Sequence, residues 1–364
     1  MREQARKRLA PAHYDFFAGG AADERAVREN ERAFHRLALL PRVLRGAAHR
    51  DLSLTLLGDR LTLPVLVSPT AFHRLAHPDG ELATARATAA AGTVLVASMA
   101  STAPVAEVTA AARAVRADAP VWFQLYMQPE PDITRALADR AEQAGCTALV
   151  VTADSPVFGR RERDARNAFH DLPPGLATEN MRHLPGADGD RPRDIAMSAA
   201  LSWDDLRRLR AHTSLPIVLK GVLHPEDARI AVAEGVDALL VSNHGGRQLD
   251  AAPATVEALP RIVAAVAGRV PVLLDGGIRR GSDAATALAL GATAVGVGRP
   301  VLWGLAADGE RGVTHVLELL RAELDHVLAL CGGSRAADLT PDLVVARGRP
   351  DDPGPHLPET GATP

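Results

Sequence analysis

The chain has 364 residues, a formal net charge of −3, and 47% hydrophobic against 23% charged residues. That balance suits a soluble domain with a large core and offers neither nucleic acid nor an anionic membrane a basic surface. No stretch reaches the ~18–20 apolar residues of a membrane span. The basic start leads into Pro11, His13, Tyr14 and Asp15 rather than an apolar leader, so the cytoplasm is the expected location.

In chain order, residues 2–36 read as helical. From residue 63 to residue 300 one unit repeats: a short apolar run ending in polar or glycine residues, then an alanine-rich helical stretch. The runs are 63–70, 94–98, 121–126, 148–154, 216–221, 238–243, 271–277 and 294–299. Unbroken apolar runs suit parallel strands covered on both faces. Helical stretches at 80–91, 132–144, 225–234 and 282–290 each stop at a glycine. Eight such units predict a (β/α)8 barrel with a helical N-terminal extension. A further helix is expected over 313–330, giving one domain over 1–346, and the Pro-, Gly- and Asp-rich tail 347–364 is expected to be disordered. Cys146 and Cys331 show no metal-ligand spacing, so two free thiols and no metal site are expected.

One connection is abnormally long. About fifty residues separate the fourth run from a helix starting near Trp203, including Leu172-Pro173-Pro174-Gly175 and the glycine-rich 186–190. A segment of this length leaving the C-terminal end of a barrel strand is expected to be an active-site lid, over about 159–202.

Chemistry in such a barrel sits where strands end. Gly276, Gly277, Gly296 and Gly298 let backbone approach an anion, and Arg279 and Arg299 supply charge, which predicts a phosphate site at the last two strands. The alternative for Asp275-Gly276-Gly277 is a plain tight turn. It is not a dinucleotide fingerprint. Lys220 ends an apolar run, so it either pairs with a carboxylate or faces a cavity, where its charge would favour a reduced, anionic ring. His244 is a natural base near neutral pH, Asp154 can orient it, and Arg247 can grip a carboxylate.

Together these segments resemble the FMN-dependent α-hydroxy acid oxidases and dehydrogenases, of which glycolate oxidase, lactate oxidase and mandelate dehydrogenase are typical. The resemblance runs from Tyr14 to about Cys331 and is most specific in Ser242-Asn243-His244-Gly245-Gly246-Arg247-Gln248-Leu249-Asp250. It implies that His244 takes a proton from the substrate and Asp154 stabilises the imidazolium. Arg161 and Arg247 would hold the substrate carboxylate, assisted by Tyr126, and Lys220 would sit by the flavin. Pro69, Thr70, Ala71, Ser98, Gln124, Thr152 and Ser242 would contact the isoalloxazine or ribityl groups, and Asp275, Gly276, Gly277, Arg279, Gly298 and Arg299 the ribityl and phosphate. A 2-hydroxy acid substrate, oxygen as acceptor and a homotetramer are the implied partners.

Two positions depart from the family pattern. Phe16 stands where a tyrosine usually helps bind the carboxylate, and Tyr14 would face elsewhere on its helix. After the second run, Ala97-Ser98-Met99 lacks a hydroxyl at Ala97 and places pliable Met99 where an aromatic is common. A roomier, less polar pocket follows, with Phe16 and Met99 against an aromatic or larger aliphatic acid of the mandelate or 4-hydroxymandelate type. Glycolate or L-lactate oxidation is the alternative, and a catalytically silent flavin-binding barrel is a third reading. Other phosphate-binding barrels, such as an inosine-phosphate dehydrogenase, would not need the His244/Arg247 pair.

Overall fold

A computed structural model describes residues 1–187 and 191–347. Eight strands close into a parallel barrel: β1 (Val65–Val67), β2 (Leu95–Ser98), β3 (Val121–Leu125), β4 (Ala148–Thr152), β5 (Ile217–Val222), β6 (Ala238–Val241), β7 (Val272–Asp275) and β8 (Ala294–Val297). Each pairs with its sequence neighbours, and β8 closes on β1 through Val295–Val65 and Val297–Val67. All eight expected strands form.

Side chains alternate across each strand, so one strand feeds two cores. Leu66, Val96, Trp122, Val150, Val218, Leu240 and Leu273 fill the barrel interior, while their chain neighbours Val65, Val67, Phe123, Leu149 and Leu219 pack outward on the helices. The ring of helices comprises α4 (Gly80–Ala90), α5 (Val105–Val115), α6 (Pro131–Gln143), α8 (Trp203–His212), α9 (Pro225–Ala233), α10 (Thr255–Val266), α11 (Gly281–Ala289) and α12 (Arg299–Leu330), with a short α7 (Glu162–Arg166) in the long connection. The helix expected over 313–330 is the second half of α12, which leaves helical geometry at Asp308 and Gly309. Cys146 and Cys331 are free and buried.

Two features position the site. A hairpin of strands Leu54–Leu56 and Asp59–Leu61 plugs the N-terminal end of the barrel with Leu56 and Leu61. Before it come α1 (Arg2–Arg8), α2 (Pro11–Ala18) and α3 (Arg25–His35), within the stretch expected to be helical. α2 is tied to α7 through Arg163, which pairs with Asp15 at 3.0 Å and Glu24 at 2.6 Å. The glycine-rich stretch at 188–190 and the tail beyond Arg347 lie outside the described residues.

Candidate active site

A cavity of about 660 Å³ opens at the C-terminal ends of the strands. The loop after β6 carries His244 into its wall in the left-handed region, with φ of 59°. Gly245 and Gly246 continue in that region at 63° and 76°, and a Cβ on Gly246 would lie 2.5 Å from the Val27 nitrogen. A left-handed histidine costs about 1–2 kcal/mol, so surrounding bonds must fix it. Ser242 Oγ supplies one by accepting the His244 N–H at 3.1 Å.

His244 Nδ1 lies 2.8 Å from Asp154 Oδ1. Burial pushes the Asp154 carboxyl up, but the charges of His244 and Lys220 and hydrogen bonds from His244 and Ser155 outweigh it and hold the group at about 2. An ionised Asp154 only accepts, so Nδ1 carries the hydrogen and Nε2 presents its lone pair to the cavity. Tyr126 Oη lies 3.3 Å from Nε2; burial first, then the Asp154 charge, raise the phenol, so it stays a neutral donor. Burial lowers the His244 imidazole below 6.5 despite the raising effect of Asp154, with Lys220 adding to the lowering. With 22% of its side chain accessible, His244 is a reachable neutral base. A register shift between Lys220 and Val222 at Gly221 (φ 103°) lets β5 pass Asp154, for a Cβ there would meet the Asp154 Cβ at 2.6 Å.

The cavity holds more positive charge than its walls neutralise. Lys220 is 3% exposed, and among the described residues its ammonium makes no ion pair or hydrogen bond. Of the two readings of Lys220, the structure therefore supports the cavity-facing one. Among the described residues Arg247 donates only to the carbonyls of Phe16 (2.7 Å) and Gly19 (3.1 Å). Among these residues Arg299 likewise donates only to the carbonyls of Phe17, Gly245 and Gly19. Burial and neighbouring arginines push Arg247 down to about 10 and Arg299 to about 9. Arg161 is shared with Asp164 at 3.1 Å, and Arg279 with Glu31 at 2.9 Å. Enclosed cations of this kind call for anionic ligands. Beside them, Gly276 and Gly277 turn at φ of 94° and 86°, and Asp275 Oδ1 is a buried acceptor with no partner among the described residues. The set suits a phosphate, a neighbouring hydroxyl and a ring that gains negative charge near Lys220.

Over this polar floor stands an aromatic wall. The Phe16 ring lies 5.3 Å from Phe169 and 5.6 Å from Phe72 between centroids. The Arg247 and Arg161 guanidinium carbons sit 5.0 Å and 5.7 Å from the Phe16 centroid, within cation–π range. Leu172, Leu176, Ile195 and Met197 of the long connection complete the wall. That connection is pinned to the barrel: Asn180 accepts from Val105 N–H at 2.8 Å, and the Gln128 amide exchanges hydrogen bonds with the Ala196 backbone.

Most expected site residues meet in this cavity: Phe16, Pro69, Thr70, Ala71, Ser98, Gln124, Tyr126, Thr152, Arg161, Lys220, His244, Arg247, Asp275, Gly276, Gly277, Arg279, Gly298 and Arg299 line it. Three positions differ. Met99 is fully buried outside the lining, where its sulfur accepts the Tyr126 N–H at 3.0 Å, so it supports Tyr126 rather than facing substrate. Ser242 is also fully buried and serves the His244 backbone. Ala97 packs in the outward core, so the hydroxyl it lacks is none the cavity would have held; Ser98 faces inward and donates to Gln124 Oε1 at 3.0 Å. Tyr14 stacks on Trp303 at 5.3 Å, away from the lining. Sequence reasoning missed Phe72 and Phe169. It also missed His73, whose ring joins Thr70 Oγ1 (2.6 Å) and Thr84 Oγ1 (2.9 Å). The signal for Phe72 and His73 was their place immediately after Pro69-Thr70-Ala71 at a strand end.

Known proteins resemble this chain in sequence and fold. The family described as FMN-dependent dehydrogenase matches residues 5–346. An L-lactate oxidase of Nostoc sp. is 48% identical over 92% of this chain and 94% of its own. Glycolate oxidase 1 of Oryza sativa subsp. indica is 44% identical over 92% of each chain. A crystal structure of mandelate oxidase with benzoyl-formic acid superposes with a TM-score of 0.84 at 42% identity, covering 93% of this chain and 94% of that one.

Proposed function

The chain belongs to the FMN-dependent dehydrogenase family and oxidises (S)-2-hydroxy acids with FMN, and we propose that its substrate carries an aromatic or large aliphatic side chain, of the mandelate or 4-hydroxymandelate kind, with oxygen as acceptor. The carrying observation is the wall of Phe16, Phe72 and Phe169 facing the guanidiniums of Arg161 and Arg247. One side of the cavity suits a carboxylate and the other a ring.

In this reading Arg299 and the backbone of Gly276, Gly277 and Gly298 hold the FMN phosphate, with Arg279 adding charge beside them. Asp275 Oδ1 takes a ribityl hydroxyl. Pro69, Thr70, Ala71, Ser98, Gln124 and Thr152 line the ring's site, and Lys220 supports its electron-rich edge. FMN, when bound, would accept the two electrons and the second hydrogen that leave the hydroxy acid. Arg247 and Arg161 grip the substrate carboxylate, a charge-assisted contact that releases Arg247 from carbonyl-only bonding. His244 Nε2 receives one proton from the substrate, and the ionised Asp154 at Nδ1 stabilises the resulting imidazolium. Tyr126 Oη, within reach of Nε2, orients the reacting end. The described parts of the long connection, residues 159–187 and 191–202, would cover the substrate as a lid.

Oxidation of glycolate or L-lactate is the second reading, supported by relatives bearing those names. Steady-state comparison of glycolate, L-lactate, (S)-mandelate and 4-hydroxymandelate separates them, with peroxide and dye reduction both followed. Burying a ring is worth about 1.5–3 kcal/mol, so kcat/KM for mandelate should exceed that for glycolate by about tenfold or more. Preference for glycolate would remove the aromatic reading, and dye reduction without peroxide would remove oxygen. A homotetramer belongs to the same proposal, supported by exposed Leu40, Val43 and Leu44 in one segment, and light scattering reads it.

A further inference from the structure

We propose that Asn30, on α3 outside the barrel, is a positioning residue that holds the His244 loop and the glycine turn after β7 in one register; this rests on the reading of His244 as the base. Asn30 and Asn243 form a reciprocal amide pair: each Nδ2 donates to the other's Oδ1 at 2.8 Å. Both side chains are buried, at 2% and 3% exposure. Asn243 immediately precedes His244. Its Oδ1 also accepts the Gly246 N–H at 3.2 Å, and its Nδ2 also donates to the Pro253 carbonyl at 3.0 Å. The amide pair therefore spans the three left-handed residues that aim the imidazole.

The same Asn30 reaches the second strand end. Its Oδ1 accepts the Thr255 N–H at 3.3 Å, and Thr255 Oγ1 donates to the Gly276 carbonyl at 3.2 Å. The Asn30 carbonyl leaves no room for a Cβ on Gly277, which would approach it to 2.0 Å. One amide thus links the loop bearing the base to the turn read as the phosphate cradle. Docking of the helix does not depend on that amide, because α3 has apolar anchors of its own in Ala26, Ala33 and Phe34. A left-handed histidine has a lower-energy conformation available, and a fully bonded buried amide pair denies it.

The test uses FMN-loaded Asn30→Ala and the near-isosteric Asn30→Asp, which keeps the acceptor but removes the donor to Asn243. A misplacement of about 1 Å costs about 100-fold in rate, so kcat should fall about 10- to 100-fold in Asn30→Ala, and less in Asn30→Asp. The acid limb of kcat/KM should rise toward 6.5 as water reaches His244, and hydrogen exchange of the 243–247 amides should quicken with or without substrate. Unchanged kcat and exchange in a folded variant overturns the proposal, as does a kcat loss with neither the shifted limb nor faster exchange. If Asn30→Ala does not fold, Asn30→Asp decides by the same signs; failure of both to fold assigns the amide to the fold and also overturns it. His244→Gln in the same assay keeps the two ideas apart. If it retains turnover, the base assignment falls; if it is inactive while Asn30→Ala is unaltered, only this inference does.

Discussion

At the N-terminal end of the barrel the Asp59 carboxylate accepts hydrogen bonds from Trp122 Nε1 at 2.8 Å and Thr147 Oγ1 at 2.9 Å, beneath a hairpin that seals the interior. At the C-terminal end, Lys220 has no ion pair, Arg247 and Arg299 hold only carbonyls, and Asp154 Oδ2 and Asp275 Oδ1 have no partner among the described residues. The strands are the same, yet the Asp59 carboxylate at one end is satisfied by protein groups, while Lys220, Asp154 Oδ2 and Asp275 Oδ1 at the other are left for ligands. A buried polar group without a partner is costly, so the asymmetry marks where binding energy is collected.

Substitutions at the two ends should therefore separate activity from stability. Arg247→Leu removes a buried carboxylate anchor, worth about 2–5 kcal/mol, and should lower kcat/KM about 30- to 5,000-fold in steady-state assays while the urea midpoint stays near that of the parent. Asp59→Ala should do the opposite. It orphans the Trp122 N–H and the Thr147 hydroxyl at a cost of about 1–3 kcal/mol, read as a lower urea midpoint with unchanged kcat. A loss of activity at Asp59 with unchanged stability would erase the distinction between the ends. Phe16→Tyr returns a hydroxyl beside the two guanidiniums and sharpens the comparison within the cavity. It should improve KM for glycolate by about tenfold, with little change for mandelate, because one hydrogen bond to a charged group is worth about 1.5–3 kcal/mol.

The smallest effect concerns pH. Burial lowers the His244 imidazole, so its neutral, proton-accepting form persists to lower pH than that of a free histidine. The acid limb of kcat/KM should lie below 6.5 and move further down in Asp154→Asn, which loses the charge that raises it. An acid limb above 6.5 in the parent would mean that the imidazole is solvated or paired differently.

The barrel was legible because parallel strands covered on both faces leave unbroken apolar runs, and residues at their ends, such as His244 and Lys220, stand out against them. The hairpin at residues 54–61 was not, since three-residue strands carry too little pattern to register. Met99 was misplaced because adjacent strand-end residues face opposite sides, and sequence alone does not say which side meets the cavity. Ser242 shares the inward face with Leu240, but its Oγ is taken up by the His244 N–H. The aromatic wall escaped notice because Phe16, Phe72 and Phe169 come from three separate elements and meet only in space.

The central claim is that His244 Nε2 takes the substrate proton as electrons leave for FMN. Anaerobic mixing of the FMN-loaded protein with (S)-mandelate, followed by flavin absorbance, tests it in a single turnover. The parent should bleach rapidly, and His244→Gln should retain its yellow flavin while bleaching about 100- to 10,000-fold more slowly. Equal bleaching rates in the two proteins would contradict the account.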